Sequence, residues 1–387
     1  MAIIGVKCRK KSMISPFAPT VSPESDNSSE LATVWREIQG SNNWENLLDP
    51  LDPILRDEIA RYGEFVNACY KAFDLNPNSK RYLNCKYGKK NMLTQVGLSN
   101  SGYEVTKYIY ATPDVTIPIQ NESSCGRWIG YVAVASDREV QRLGRRDIVI
   151  TFRGTVTNPE WMSNFMSSLH SCPARPHNPR PHVMVESGFL SLYTSDESDC
   201  KFGLGSCREQ LLSEISRILY KYKGEELSIT LAGHSMGSSL ALLLAYDIAE
   251  LGLNKVDISM PKIPITVFSF GGPRVGNLSF KERCEELEVK ILRVVNVNDP
   301  ITKLPGVFIN ENFKVLGMLN PVCVHDLETY ISILRPPKRQ EEATQETIGF
   351  NFIEKARELL FQAHNFDPSP WRNAAANMVN LMQSQRT

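Results

Sequence analysis

A serine with a glycine two residues away on each side, Gly233-His234-Ser235-Met236-Gly237, joins two segments of opposite character. Residues 227–232 are short, apolar and partly β-branched, as in a buried strand. Residues 238–249 lack Pro and Gly and are rich in Leu and Ala, as in a buried helix. A serine on a sharp strand-to-helix turn is held in a strained backbone conformation with its hydroxyl clear of the sheet. Gly233 and Gly237 leave room for that turn. The first N–H groups of the helix, with the positive end of its dipole, then face whatever Ser235 attacks. The chemistry this implies is nucleophilic attack on a carbonyl. The five-residue pattern alone is weak; the strand before it and the helix after it give it weight.

A serine hydroxyl needs a base to take its proton, and the base needs an acid to orient it. In open α/β sheets the partners follow the nucleophile in the order acid, histidine. Asp299 stands just past the end of a strand-like run, 64 residues after Ser235, and Pro300 stops the strand there. Of the six histidines, His170, His177 and His182 precede the serine, and His234 lies on the turn with its side chain expected to point away. His325 and His364 remain. His325 precedes a helical run (Leu327, Tyr330, Ile331, Leu334), whereas His364 ends a charged tail helix; His325 is the favoured base. Two oxyanion donors are expected: the Met236 N–H and Thr155, which follows Gly154 at the end of another strand.

Two other constellations point to no further site. Cys172, His177 and His182 have metal-type side chains, but the prolines among them fix an extended path, so no metal is expected. The loop from Gly271 to Gly276 follows a strand yet lacks dinucleotide-binding spacing and contains Pro273, so no cofactor is expected.

The elements that must position these groups alternate. A helix is expected over 51–74, capped by Asp52 with Pro53 in its first turn, its inner face carrying Leu55, Ile59, Tyr62, Val66, Cys69, Tyr70 and Phe73. Strand-like runs follow at 103–111 and 128–135, then the apolar strand 147–152. Residues 159–169 read as a short helix, with Trp161, Met162, Phe165, Met166 and Leu169 on one side, suited to cover an acyl groove. A helix over 206–222 leads to the nucleophile strand, and strands at 264–270 and 290–296 complete the series. This order predicts a mostly parallel sheet covered by helices, with 103–135 as its antiparallel edge. Residues 1–30 are expected to be disordered, 31–335 to form the catalytic domain, and 336–387 to be a charged tail with one helix at 352–362.

Composition excludes several classes. Across 387 residues, 43 basic and 43 acidic side chains cancel, which argues against a nucleic-acid surface. The longest apolar run, Leu240 to Tyr246, is too short to span a bilayer, so any lipid is met from the aqueous side. Nine scattered cysteines and no secretory apolar segment point to a reducing compartment. The first 23 residues hold basic residues and serines but no Asp or Glu, the composition of an organelle transit peptide. Nothing in the sequence sets an oligomeric state.

With these residues in place the chain resembles the class 3 lipases, most closely the plant plastid-type phospholipase A1 enzymes. The resemblance rests on residues 148–155 (Ile-Val-Ile-Thr-Phe-Arg-Gly-Thr), Val185-Glu186-Ser187-Gly188-Phe189, Gly233 to Gly237, residues 272–277, Asn298-Asp299-Pro300 and residues 325–328. It implies an α/β-hydrolase fold and hydrolysis of the sn-1 acyl ester of phospholipids, with galactolipids and triacylglycerols as further substrates, presented by membranes or lipid droplets. It also implies a Ser235, Asp299, His325 triad, Thr155 as an oxyanion donor, and a plastid address. The chain departs from the family in one place. A strand-forming segment usual between acid and histidine is reduced, leaving 26 residues from Asp299 to His325, so His325 is expected to be loosely held. A small-ester carboxylesterase and a catalytically weakened lipase-like scaffold are the rival readings.

Overall fold

The computed structural model describes residues 1–6, 27–112, 126–156, 169–172, 180–196, 205–255, 261–299, 301–304 and 324–335. The chain divides into compact units Met1–Pro336 and Pro337–Thr387, and every described residue lies in the first. Seven strands form one sheet: β1 (Ala2–Val6), β2 (Tyr103–Ala111), β3 (Arg127–Ala135), β4 (Arg146–Phe152), β7 (Leu227–His234), β8 (Ile265–Phe270) and β9 (Lys290–Asn296). Their spatial order is β1-β9-β8-β7-β4-β3-β2. The five strands from β1 to β4 run parallel, and β3 and β2 add an antiparallel edge. A separate small ribbon pairs β5 (Leu169–Ser171) with β6 (Met184–Glu186).

The central strands are apolar on both faces because both faces are covered. Ile148, Ile150 and Phe152 of β4 enter one core, with helices α5 (Ser187–Thr194), α6 (Cys207–Lys221), α7 (Met236–Glu250) and α8 (Leu278–Glu286). Val149, between them, enters the other core, with α1 (Asn27–Ile38), α2 (Pro53–Ala72) and α9 (Leu327–Leu334). Two short helices, α3 (Met92–Gln95) and α4 (Asp137–Leu143), complete the described set. Each fully buried Leu, Ile or Phe in these layers contributes roughly 1.5–3 kcal/mol. The result is an α/β-hydrolase arrangement, a mostly parallel sheet between helical layers.

Local signals place the helix ends. The Asp52 carboxylate accepts from the Ile54 and Leu55 N–H groups, both at 2.9 Å, and Pro53 occupies the first helical position of α2. Losing that cap costs about 1 kcal/mol. Ser206 and Glu209 form a reciprocal capping box that starts α6 and aims it toward β7.

Three sequence expectations need correction. Residues 1–30 are not uniformly disordered: Ala2–Val6 is a strand paired in parallel with β9, and α1 begins at Asn27. The apolar run Ala-Ile-Ile-Gly-Val was masked by the basic residues after it, yet Ile4 is buried. Leu169 does not belong to a helix face; it opens β5 and is exposed. The strand before Ser235 runs through His234 and the helix after it starts at Met236, so the turn between them is shorter than residues 227–232 and 238–249 implied. The rest of the expected 159–169 helix, the 352–362 helix, Pro300, His177 and His364 lie outside the described residues.

Candidate active site

The register of the sheet brings the carboxyl ends of β4, β7, β8 and β9 together. Phe152 pairs with Gly233, and His234 pairs with Phe270. Ser235 follows at once with φ 54° and ψ −125°, a backbone conformation that costs an ordinary residue about 1–3 kcal/mol. Its N–H donates to the Phe270 carbonyl at 2.9 Å, which fixes the turn to β8. The flanking glycines are obligatory. A Cβ on Gly233 would lie 2.2 Å from the Gly237 carbonyl oxygen, and one on Gly237 would lie 2.5 Å from the carbonyl oxygens of Phe152 and Arg153.

Ser235, His325 and Asp299 meet at this edge. His325 Nε2 is 2.8 Å from Ser235 Oγ, and His325 Nδ1 is 2.6 Å from Asp299 Oδ2. Asp299 is fully buried, three residues beyond β9. Its Oδ1 accepts from the Ile301 N–H at 2.9 Å, and its Oδ2 also accepts from the Tyr330 hydroxyl at 2.6 Å. With the Nδ1 proton directed at the carboxylate, Nε2 presents a lone pair to the serine proton. Among the described residues no lysine or arginine pairs with Asp299.

Two backbone donors stand open beside the serine. Neither the Thr155 N–H nor the Met236 N–H has a hydrogen-bond partner among the described residues. The Thr155 hydroxyl is 3.4 Å from the Met236 sulfur, a weak acceptor that it can leave. A Cβ on Gly154 would lie only 3.1 Å from that of Ser235, so the β4 exit loop passes against this serine.

The sequence reading expects a loosely held His325; in the structure the backbone at and around it makes three hydrogen bonds. The Val324 carbonyl accepts from Asn296 Nδ2 at 3.0 Å, and the His325 carbonyl is 2.7 Å from His234 Nε2. Asp326 then caps α9, accepting from the Thr329 N–H at 3.0 Å. Two long-range hydrogen bonds, to Asn296 and His234, and one local cap therefore engage the backbone at and around the histidine.

His234 does not simply point away. A carbonyl can only accept, so His234 Nε2 carries the proton toward His325, and Nδ1 must accept from the Tyr70 hydroxyl at 2.7 Å. Tyr70 in turn accepts from the Gly154 N–H at 2.6 Å. Burial pushes the His234 pKa well below its ordinary value, helped by the neighbouring His325 ring, so this imidazole stays neutral. The chain of bonds links the β4 exit loop to the histidine loop through α2. Sequence reading placed Tyr70 and Tyr330 among apolar helix faces and missed both hydroxyls. Only their position at the site end of each face would have flagged them.

Of the three residues with metal-type side chains for which no metal is expected, Cys172 is buried and His182 is exposed, on either side of residues not described. No group of three His, Cys, Asp or Glu side chains among the described residues could hold a metal ion. No helix among them is long and apolar enough to cross a membrane.

The class 3 lipase profile matches residues 149–309, from β4 past Asp299, which includes the strand, elbow and acid of this site. A galactolipase from Arabidopsis thaliana named DONGLE, chloroplastic, is 59% identical over 92% of this chain and 81% of its own length. The chain belongs to the class 3 lipase family. Phospholipase A1-Ialpha2, chloroplastic, also from Arabidopsis thaliana, is 58% identical over 89% of the chain and 78% of its own length. Phospholipase A1 EG1, chloroplastic/mitochondrial, from Oryza sativa subsp. indica, is 53% identical over 92% and 86% respectively. For this class 3 lipase the likeness extends well beyond the profile, over most of both chains.

Proposed function

We propose that this protein is a plastid phospholipase A1: a serine acyl-hydrolase that cleaves the sn-1 ester of phospholipids and also accepts galactolipids. The relatives named above support the substrate class and the compartment. The observation that carries the mechanism is the Ser235–His325–Asp299 chain of hydrogen bonds facing two N–H groups that have no partner among the described residues.

In this reading His325 Nε2 takes the Ser235 proton as Oγ attacks the acyl carbonyl. The imidazolium that forms is oriented and stabilised by Asp299, with Tyr330 bracing the same carboxylate oxygen. The oxyanion is received by the Met236 and Thr155 N–H groups, and the Thr155 hydroxyl turns from the Met236 sulfur to add a third donor. His325 then gives its proton to the departing lysolipid alcohol. Water deprotonated by the same nitrogen releases the fatty acid. No cofactor enters these steps, and the lipid is approached from the aqueous side of a membrane or lipid droplet.

The test is regiochemistry. Purified protein given phosphatidylglycerol and galactolipid with different acyl chains at the two positions should release the sn-1 fatty acid and leave the 2-acyl lysolipid. Activity should rise when the lipid aggregates. Release from sn-2, or activity confined to soluble short-chain esters, would overturn the reading and favour a small-ester carboxylesterase.

A further inference from the structure

Arg153 follows β4 directly and is only 4% exposed. Arg61, Arg146 and Arg283 meet carboxylates, Glu58 at 2.6 Å, Glu225 at 2.8 Å and Glu250 at 2.8 Å, and the buried Arg145 lies in the field of Asp147 and Glu58; the half-buried Arg293, like Arg153, instead donates to two carbonyls, those of Gly272 and Thr302. Arg153 has no carboxylate partner among the described residues. Its Nε donates to the Trp128 carbonyl at 2.9 Å, one terminal nitrogen donates to the Gly154 carbonyl at 2.9 Å, and the guanidinium lies 4.0 Å over the Phe73 ring. The titratable groups facing it are Tyr70, Cys69 and Arg127, none of them an anion at neutral pH. Burial draws its pKa down to about 10, which still leaves it charged under physiological conditions.

A buried cation without a counter-ion is costly. Clamping two carbonyls would need only a neutral donor. The placement of the charge is therefore informative. The Gly154 carbonyl belongs to the same peptide group as the Thr155 N–H. A charged donor on that carbonyl polarises the amide and makes its N–H a stronger donor. The N–H on the other side of Gly154 is fixed by Tyr70, so the polarised peptide is also held in place. We infer that Arg153 is a positioning residue that acts through the Gly154–Thr155 peptide, strengthening the Thr155 N–H toward the oxyanion. This rests on the oxyanion role proposed above for Thr155.

The test is a graded series: Arg153→Lys keeps the charge, Arg153→Gln keeps a neutral donor, and Arg153→Met keeps neither. We expect KM within about threefold of wild type throughout, with kcat falling by about 3-fold to 10-fold in Lys, 10-fold in Gln and up to 100-fold in Met. Affinity for an acyl trifluoromethyl ketone, whose hemiketal oxygen sits where the oxyanion forms, should fall in step with kcat. A purely structural clamp would instead lower the melting temperature and leave the ratio of ketone affinity to KM unchanged. That result, or wild-type kcat in a folded Gln or Met variant, overturns the inference. If only the Lys variant folds, a loss beyond about 100-fold there also overturns it, because the charge is still present. Stoichiometric fluorophosphonate labelling of Ser235 in each variant separates this failure from that of the site itself: if wild type labels at another residue, the proposed function has failed first.

Discussion

Two aspartates, Asp147 and Asp299, are fully buried at opposite ends of the same sheet. Asp147 opens β4 at the amino ends of the central strands. It accepts from the Ser228 and Thr230 hydroxyls, both at 2.7 Å, and from the Tyr103 and Tyr62 hydroxyls at 2.8 and 2.9 Å. Arg61 lies 4.0 Å from it, and Arg145 donates to the Ser228 and Tyr62 oxygens that hold it. Burial pushes the Asp147 carboxyl up, but Arg145, Arg61 and these donors outweigh it and hold the pKa below the ordinary value. Among the described residues Asp299 meets no arginine; its partners there are a tyrosine, a backbone N–H and a histidine. A carboxylate saturated by fixed donors and cations holds structure together. One whose main partner can gain and lose a proton supports chemistry.

The comparison breaks most visibly by exchanging each acid for its amide. Asp299→Asn should reduce turnover by about 10⁴-fold, since the amide favours the wrong His325 tautomer, with little change in melting temperature. Asp147→Asn should leave turnover per folded molecule near wild type but destabilise the protein by about 3–5 kcal/mol, because buried arginines lose their anion. Denaturant titration alongside initial rates checks both. If Asp147→Asn abolishes turnover in a stable protein, the division of labour between the two ends is wrong.

Smaller effects sharpen the same contrast. His234→Ala removes the donor that holds the His325 carbonyl, and a shift of about 1 Å in the base costs on the order of 10²-fold in rate. Tyr70→Phe removes the hydroxyl that links His234 to Gly154 while keeping the ring; its cost should be smaller, about 10-fold. Both losses should appear in kcat, and a loss confined to KM would contradict the positioning role.

The smallest effect is on pH-dependent stability. His234 is held neutral in the fold with its pKa depressed, so its contribution is complete above about pH 6.5 and is lost as pH falls below that value. Asp147, also depressed, contributes fully above about pH 4 and loses its contribution only as pH falls further. The stability difference between wild type and His234→Ala should therefore shrink between neutral pH and mild acid, while that for Asp147→Asn should hold until strong acid. Parallel slopes would refute this assignment.

The legibility of the chain in its sequence follows the range of each interaction. The Asp52 cap and the Gly233–Gly237 elbow are set by neighbours a few residues apart, and the sequence pattern carried them. The parallel sheet followed from alternating strands and helices. Ser235, Asp299 and His325 could be selected because chain order and strand ends restrict the choices. Tyr70, Tyr330 and Arg153 could not: a tyrosine on an apolar helix face and an arginine after a strand look the same whether or not they reach a site. β1 was missed because its apolar run is only five residues long, Ala2 to Val6, before the basic segment, and its partner β9 lies nearly three hundred residues away.

The account's central claim is that Ser235 is the nucleophile and His325 its base. The direct measurement is the rate and site of fluorophosphonate labelling, read by intact mass and peptide mapping, in wild type, Ser235→Ala and His325→Ala. The account predicts one adduct per chain on Ser235 in wild type, none in Ser235→Ala, and labelling slowed by at least about 10²-fold in His325→Ala, with hydrolysis near background in both variants. A Ser235→Ala protein that still takes the label, or that retains a tenth of wild-type hydrolysis, would contradict it.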